Sequence, residues 1–166
     1  MQGVCFDLSK QGFIWLFATL LFMALIFLKS GEPYHEQDLR PALSAWIPLR
    51  VLETVLPQVE FYYDKDLISW KEPYDMLEFF IRKAAHVAEF GVLAWLWIRT
   101  LLHTRLGYRK LLAFSFTATF LYAASDEWHQ TFVTGRTGHL VDVWVDTIGI
   151  SLVALYYSVR PDCRSS

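Results

Sequence analysis

Cysteine chemistry is nearly absent from this chain. Its two cysteines, Cys5 and Cys163, lie near opposite ends of 166 residues, and neither falls in a C-x-x-C pair. That spacing excludes a disulfide framework and a zinc ribbon as expectations. Charge is also scarce. Charged residues make up 19% and apolar residues 54%, against about 25% and about 45–50% in soluble domains. A net charge of −2 supplies no global basic field, so nucleic acid is not an expected partner. The chain has no metalloprotease H-E-x-x-H, no nucleophile elbow and no phosphate-binding glycine loop. Internal repeats and low-complexity tracts are missing too.

What the chain does have is apolar runs. Four stand out, at about 13–28, 81–102, 111–130 and 140–159. The first, Phe13–Leu28, is uncharged between Lys10 and Lys29. It sits at the short end of the roughly 17–25 residues that cross a bilayer as a helix. A cleaved signal peptide is the alternative, but Leu28-Lys29-Ser30 is not an A-x-A cleavage site. The other three runs would pass singly for core helices of a soluble protein. The first run, together with Trp95, Trp97, Trp128, Trp144, Tyr156 and Tyr157 near segment ends, favours a membrane bundle. The expected fold is therefore all-α: a single membrane domain over 1–166, built as a four-helix transmembrane bundle.

A long connection, 30–80, joins the first two runs and holds five of the six prolines. Leu43, Trp46, Ile47, Leu49, Val51, Leu52, Val55 and Leu56 recur there at mixed helical spacing. They predict a short amphipathic helix at the membrane surface, followed by a turn at Tyr62-Tyr63-Asp64 and an interfacial anchor at Trp70. Lys and Arg in the short loops orient the bundle. Arg99, Arg105, Arg109 and Lys110 cluster between runs two and three, and Arg160 and Arg164 follow run four. Both termini are expected in the cytoplasm, with the long connection and the 126–136 loop outside.

Antiparallel threading then brings scattered polar residues to one level. Lys83, His86 and Glu89 are spaced by three at the start of run two, on one helical face. Asp126, Glu127 and Gln130 close run three, Arg136 follows, and Asp142 and Asp146 open run four, four apart. Ionisable groups at membrane depth are costly, and by default they mark function.

Taken together, Arg82-Lys83-x-x-His86-x-x-Glu89-Phe90, Ser125-Asp126-Glu127-x-x-Gln130-x-Phe132, Gly135-Arg136 and Asp142-x-x-x-Asp146-x-x-Gly149 resemble the VanZ-like family. These are small membrane proteins named after a component linked to resistance to the glycopeptide antibiotic teicoplanin. The resemblance covers about Arg82 to Gly149 and implies four membrane helices and an envelope-related role. The family often carries asparagine where this chain has Asp146, so local charge and metal affinity differ there.

Three chemistries suit the residues. In an enzyme, His86, Glu89, Asp126, Glu127 and Gln130 form a catalytic set, with His86 as general base or the carboxylates holding a divalent cation. Asp142 and Asp146 are the expected metal ligands, and Arg82, Lys83 and Arg136 clamp phosphate. The substrate is then a lipid-linked or phosphate-bearing envelope precursor. In a binding protein, the same groups recognise a lipid head group or a lipoglycopeptide without turnover. In a small transporter, the paired acids relay protons. Against all three stands a closed ion-pair network, with Arg136 on Asp142 or Asp126 and Lys83 on Glu89.

Overall fold

The computed structural model describes residues 9–136 and 138–160. Cys5 and Cys163 lie outside the described residues. The chain runs α1 (Lys10–Ser30), a 3-10 turn (Tyr34–Glu36), α2 (Arg40–Trp46), α3 (Leu49–Val55), β1 (Glu60–Tyr63), β2 (Asp66–Ser69), α4 (Pro73–Leu101), α5 (Tyr108–Gln130) and α6 (Leu140–Val159). The four long helices match the four apolar runs, and α6 has the expected bounds. Two of them, α1 and α6, are long and apolar enough to cross a membrane by length and composition.

α4 starts eight residues before the apolar run that marks it. Pro73 occupies its first turn, where a missing N–H costs nothing. Glu78 and Arg82 are then bonded one turn apart, at 3.0 Å. At 29 residues the helix is about 43 Å long, and its polar first turns precede its apolar part.

The long connection is more ordered than its sequence suggests. The single amphipathic helix expected there is two short helices. Ile47 is extended (φ −120°, ψ 113°) because it precedes Pro48, and the proline ring disfavours the helical conformation at that position. The expected turn is the tip of an antiparallel hairpin, with Tyr63 opposite Asp66. Asp64 takes the left-handed φ of 53° at this tip, which its short polar side chain tolerates. The hairpin leans on α4 through Phe61 and Tyr63, edge-on to Phe79 at 5.9 and 5.0 Å.

α4 and α6 run parallel, with α5 returning between them in sequence. Lys83 meets Asp142 near their N-terminal ends, and Gly91 faces Gly149 further along. Gly149 allows this crossing: a Cβ there would lie 1.9 Å from the Val87 carbonyl oxygen. Phe90, Leu93, Ala94, Ala123, Val143 and Ile150 fill the core beside it. α1 is built into the bundle: Thr19 bonds Thr100 at 3.0 Å, and the Tyr122 hydroxyl donates to the Met23 carbonyl at 2.6 Å.

The bundle buries polar residues beside its apolar core and leaves large apolar side chains outside. Thr19, Thr100, Ser115, Thr119, Asp126, Glu127, Asp142 and Asp146 are buried. Phe13, Phe17, Leu21, Leu121, Trp144, Leu152 and Leu155 face outward, each at least half exposed. Hydroxyl and small residues between helices, with large apolar residues outside, are how helices associate in lipid.

Gly149→Ala is expected to destabilise the bundle by about 1–3 kcal/mol, the usual penalty of overpacking. Gly91→Ala, whose added carbon meets ordinary contacts at 3.5 Å, is expected to be tolerated. Thermal unfolding of the two variants in detergent checks this; equal midpoints would remove the close-crossing argument.

Candidate functional site

The polar residues singled out from the sequence converge at one end of the bundle. α4 supplies Arg82, Lys83, His86 and Glu89, α5 supplies Asp126, Glu127 and Gln130, α6 supplies Asp142 and Asp146, and Arg136 lies in the α5–α6 loop. Two cavities, of about 490 and 400 Å³, open there. Arg82, His86, Gln130 and Arg136 line both, so these four side chains form the wall between them.

Some of the charges are neutralised. Lys83 Nζ lies 2.5 Å from Asp142 Oδ1, and Tyr63 donates its hydroxyl proton to the same oxygen. Burial, then that hydrogen bond, pushes the Tyr63 hydroxyl pKa upward, so Tyr63 stays a neutral donor. Arg82 donates from Nε to Glu78 Oε1 at 3.0 Å and from Nη2 to the Gln37 carbonyl at 3.0 Å. Its guanidinium also sits 4.8 Å from the centre of the Tyr34 ring, in cation–π range. Arg40 bonds Asp38 and holds that carboxyl well below its usual range, at about 2.

Other groups have no such partner. Among the described residues, Glu89 makes no hydrogen bond or ion pair, and it lines the larger cavity. Gln130 donates to Asp126 Oδ2 at 2.9 Å, leaving Asp126 Oδ1 buried and unpartnered. The His139 backbone N–H donates to Glu127 Oε2 at 2.9 Å, leaving Oε1 unpartnered. Asp146 is wholly buried, and neither of its oxygens has a hydrogen-bond partner. His86 Nδ1 is 3.3 Å from Asp146 Oδ1, in ion-pair range but misaligned for a hydrogen bond.

Arg136 differs from the other cations. Its Nη1 donates to the Ser30 carbonyl at 3.1 Å and its Nη2 to Gln37 Oε1. Both acceptors are neutral, and no described carboxylate lies within ion-pair distance. Burial, then the nearby Arg82, pushes its pKa down, though guanidinium keeps its proton in proteins. The closed network is thus only partly present. Lys83 is bound by Asp142 rather than Glu89, and Arg136 by neither Asp142 nor Asp126.

Four supporting residues carry no site expectation from the sequence: Tyr34, Gln37, Tyr63, which reads there only as part of a turn, and Glu78. Only Glu78 carried a local signal, its spacing of four from Arg82. The others lie in the long connection and reach the site through its tertiary path. His139 sits where the α5–α6 loop folds back, its Nδ1 2.5 Å from Asp64 Oδ2 at the hairpin tip. His129, in the last turn of α5, stacks on Phe27 with ring centres 4.3 Å apart.

Lys83→Ala leaves Asp142 largely buried without its countercharge, which typically costs about 3–5 kcal/mol. In a cycle of Lys83→Ala, Asp142→Ala and the double variant, a coupling of about 0.5–3 kcal/mol is expected. Denaturation of the four proteins measures it, and purely additive effects would show that the pair acts independently.

A family model described as VanZ/LLP1 matches residues 15–160, a span that holds α4, α5, α6, all of α1 but its first five residues, and every residue of the polar end. No curated protein and no solved structure matches the chain. The VanZ family is membrane-associated, in keeping with the two helices of spanning length. The motif order that suggested the resemblance and the span of this match agree: the chain belongs to the VanZ/LLP1 family.

Proposed function

We propose that this protein is a multi-pass membrane protein of the cell envelope. In this reading α1, α4, α5 and α6 all cross the bilayer, both termini are cytoplasmic, and the polar end faces outside. There it recognises a lipid-linked, phosphate-bearing head group. The many large apolar side chains exposed on the bundle support four crossings, because soluble monomers rarely leave apolar surface of this extent uncovered. The basic residues between α4 and α5 support the orientation.

One observation carries the ligand class. Arg136 is a half-buried cation on the wall of the two cavities, held only by neutral acceptors. A buried charge without a countercharge is costly, and a phosphate would supply one. Guanidinium also matches phosphate geometry through paired N–H donors. Arg82, on the same wall, adds a second positive charge. Ile26, Leu39 and Ala85 line the larger cavity beside these groups and give an acyl or prenyl chain an apolar path. A lipoglycopeptide of the teicoplanin type, with its own acyl chain, is the alternative occupant of this surface.

Purified protein in nanodiscs is expected to bind a short polyprenyl phosphate and to discriminate against the matching polyprenol. Arg136→Ala is expected to weaken phosphate binding about ten- to hundredfold, the worth of a hydrogen bond to a charged group. Equal affinity for phosphate and alcohol, or an unaffected Arg136→Ala, would rule out the phosphate reading. Competition by a lipoglycopeptide, but not by the phosphate, would favour the alternative.

Orientation is tested by impermeant thiol labelling of Thr134→Cys, an exposed loop position, after Cys5→Ser and Cys163→Ser. Position 138 is unsuitable, since a Cβ on Gly138 would meet the Glu127 carbonyl at 2.1 Å. Labelling in intact cells is expected; labelling only after lysis would invert the topology.

A further inference from the structure

We propose that His86, Glu127 and Asp146 form a binding site for one divalent transition cation, behind the cavity wall that His86 shares with Arg82 and Arg136. One donor atom from each residue lies within 4.8 Å of the other two. The three come from three different helices, α4, α5 and α6, so their spacing is set by the bundle and not by a mobile loop. A cation with bonds of about 2.1 Å would draw such donors to roughly 3–3.5 Å apart, a small rotation for long side chains such as Glu127.

The state of the oxygens is the independent observation. Asp146 is 0% exposed and both of its carboxylate oxygens lack a hydrogen-bond partner. Glu127 is 3% exposed, and its free atom is Oε1. Buried polar atoms are nearly always satisfied, so orphaned ones call for an ion or water. Lys83 is paired with Asp142 and Arg82 with Glu78, and Arg136 donates to Ser30 and Gln37 rather than to Glu127 or Asp146. Among the described residues, neither Glu127 nor Asp146 is ion-paired to a lysine or arginine. A divalent cation would take the free oxygens of both carboxylates together with the imidazole.

Supporting contacts hold the donors in place. The His139 N–H fixes Glu127 through its other oxygen, the kind of outer contact that orients a metal ligand. The Gly149–Val87 approach sets the distance between the helices that carry Asp146 and His86. Imidazole alongside carboxylate favours Zn2+ or Mn2+ over Mg2+ and Ca2+, which prefer all-oxygen sets. Three protein ligands leave a coordination position open. His86 lines both cavities, whereas Glu127 and Asp146 line neither, so the ion would sit just behind the cavity wall.

The full chain, purified in detergent and stripped with chelator, is to be titrated with Mn2+ and with Zn2+. One ion per chain is expected. Asp146→Asn and Glu127→Gln should each lower affinity at least tenfold, while Asp142→Asn, whose carboxylate is taken by Lys83 and Tyr63, should retain the ion. Bound Mn2+ should show nitrogen modulation in pulsed electron paramagnetic resonance, lost in His86→Gln. Wild-type protein that binds no ion, or binds Mn2+ without nitrogen modulation, overturns the proposal even if a variant fails to fold. So does equal loss in Asp142→Asn and Asp146→Asn. Arg136→Ala should leave the ion count unchanged, so this proposal and the head-group reading fail separately.

Discussion

The crossing of α4 and α6 depends on Gly149 having no side chain. With the Val87 carbonyl 1.9 Å from where a Cβ would stand, the two backbones approach more closely than any other residue would allow. Because the helices run parallel, one point of contact sets the register along both. Lys83 then falls against Asp142, and His86 against Asp146 one turn further on. Spreading the axes would lengthen both contacts. A glycine deep in the apolar part of α6 thereby controls the geometry of charges one to two turns away.

Charge pairing at the polar end is selective. A buried ion pair contributes little net stability, but removing one partner is severe. Lys83–Asp142 and Arg82–Glu78 fit this structural pattern: each salt bridge is backed by a further contact, Tyr63 on Asp142 and Gln37 with Tyr34 on Arg82. Arg136, Glu89, Glu127 and Asp146 do not fit it. They stay incompletely satisfied although suitable counterions lie nearby, bound to other groups. A bundle optimised only for stability would close that gap, whereas a bundle that takes up an ion or a charged ligand needs it open.

Much of this arrangement was legible in the sequence, and what was legible has a common cause. Helical spacing and apolar length are local properties, so α6 was bounded at 140–159, and the polar stripes of α4, α5 and α6 were placed at one end. The family was legible because its motifs occur in a fixed order. The start of α4 was missed because its first two turns are amphipathic, not apolar. There Met76 and Glu78 are buried against the connection while Asp75 is exposed. The hairpin was missed because Tyr62-Tyr63-Asp64 reads as a turn until Asp66–Ser69 is seen to pair back onto Glu60–Tyr63. The actual partners of Lys83 and Arg136 were not legible at all. Lys83 pairs across two helices and Arg136 with a residue of the long connection, so both pairings are set by tertiary geometry that spacing along one helix does not encode.

The long connection is therefore part of the site and not a tether. Tyr63 and Asp64 from the hairpin reach Asp142 and His139, and Gln37 reaches both Arg82 and Arg136. These contacts bridge α4, the α5–α6 loop and α6 at the level where the helices leave their apolar core. Polar side chains there are covered by folded chain instead of open water, so Coulombic attractions act with less screening than at a free surface. The cover is incomplete over the larger cavity, where Glu36, Gln37 and Leu39 face Arg82, His86 and Glu89 across about 490 Å³. A ligand entering there would meet a low-dielectric wall carrying preset charges, and it would do so beside the apolar face of α1. Such a setting suits a molecule that is charged at one end and apolar at the other.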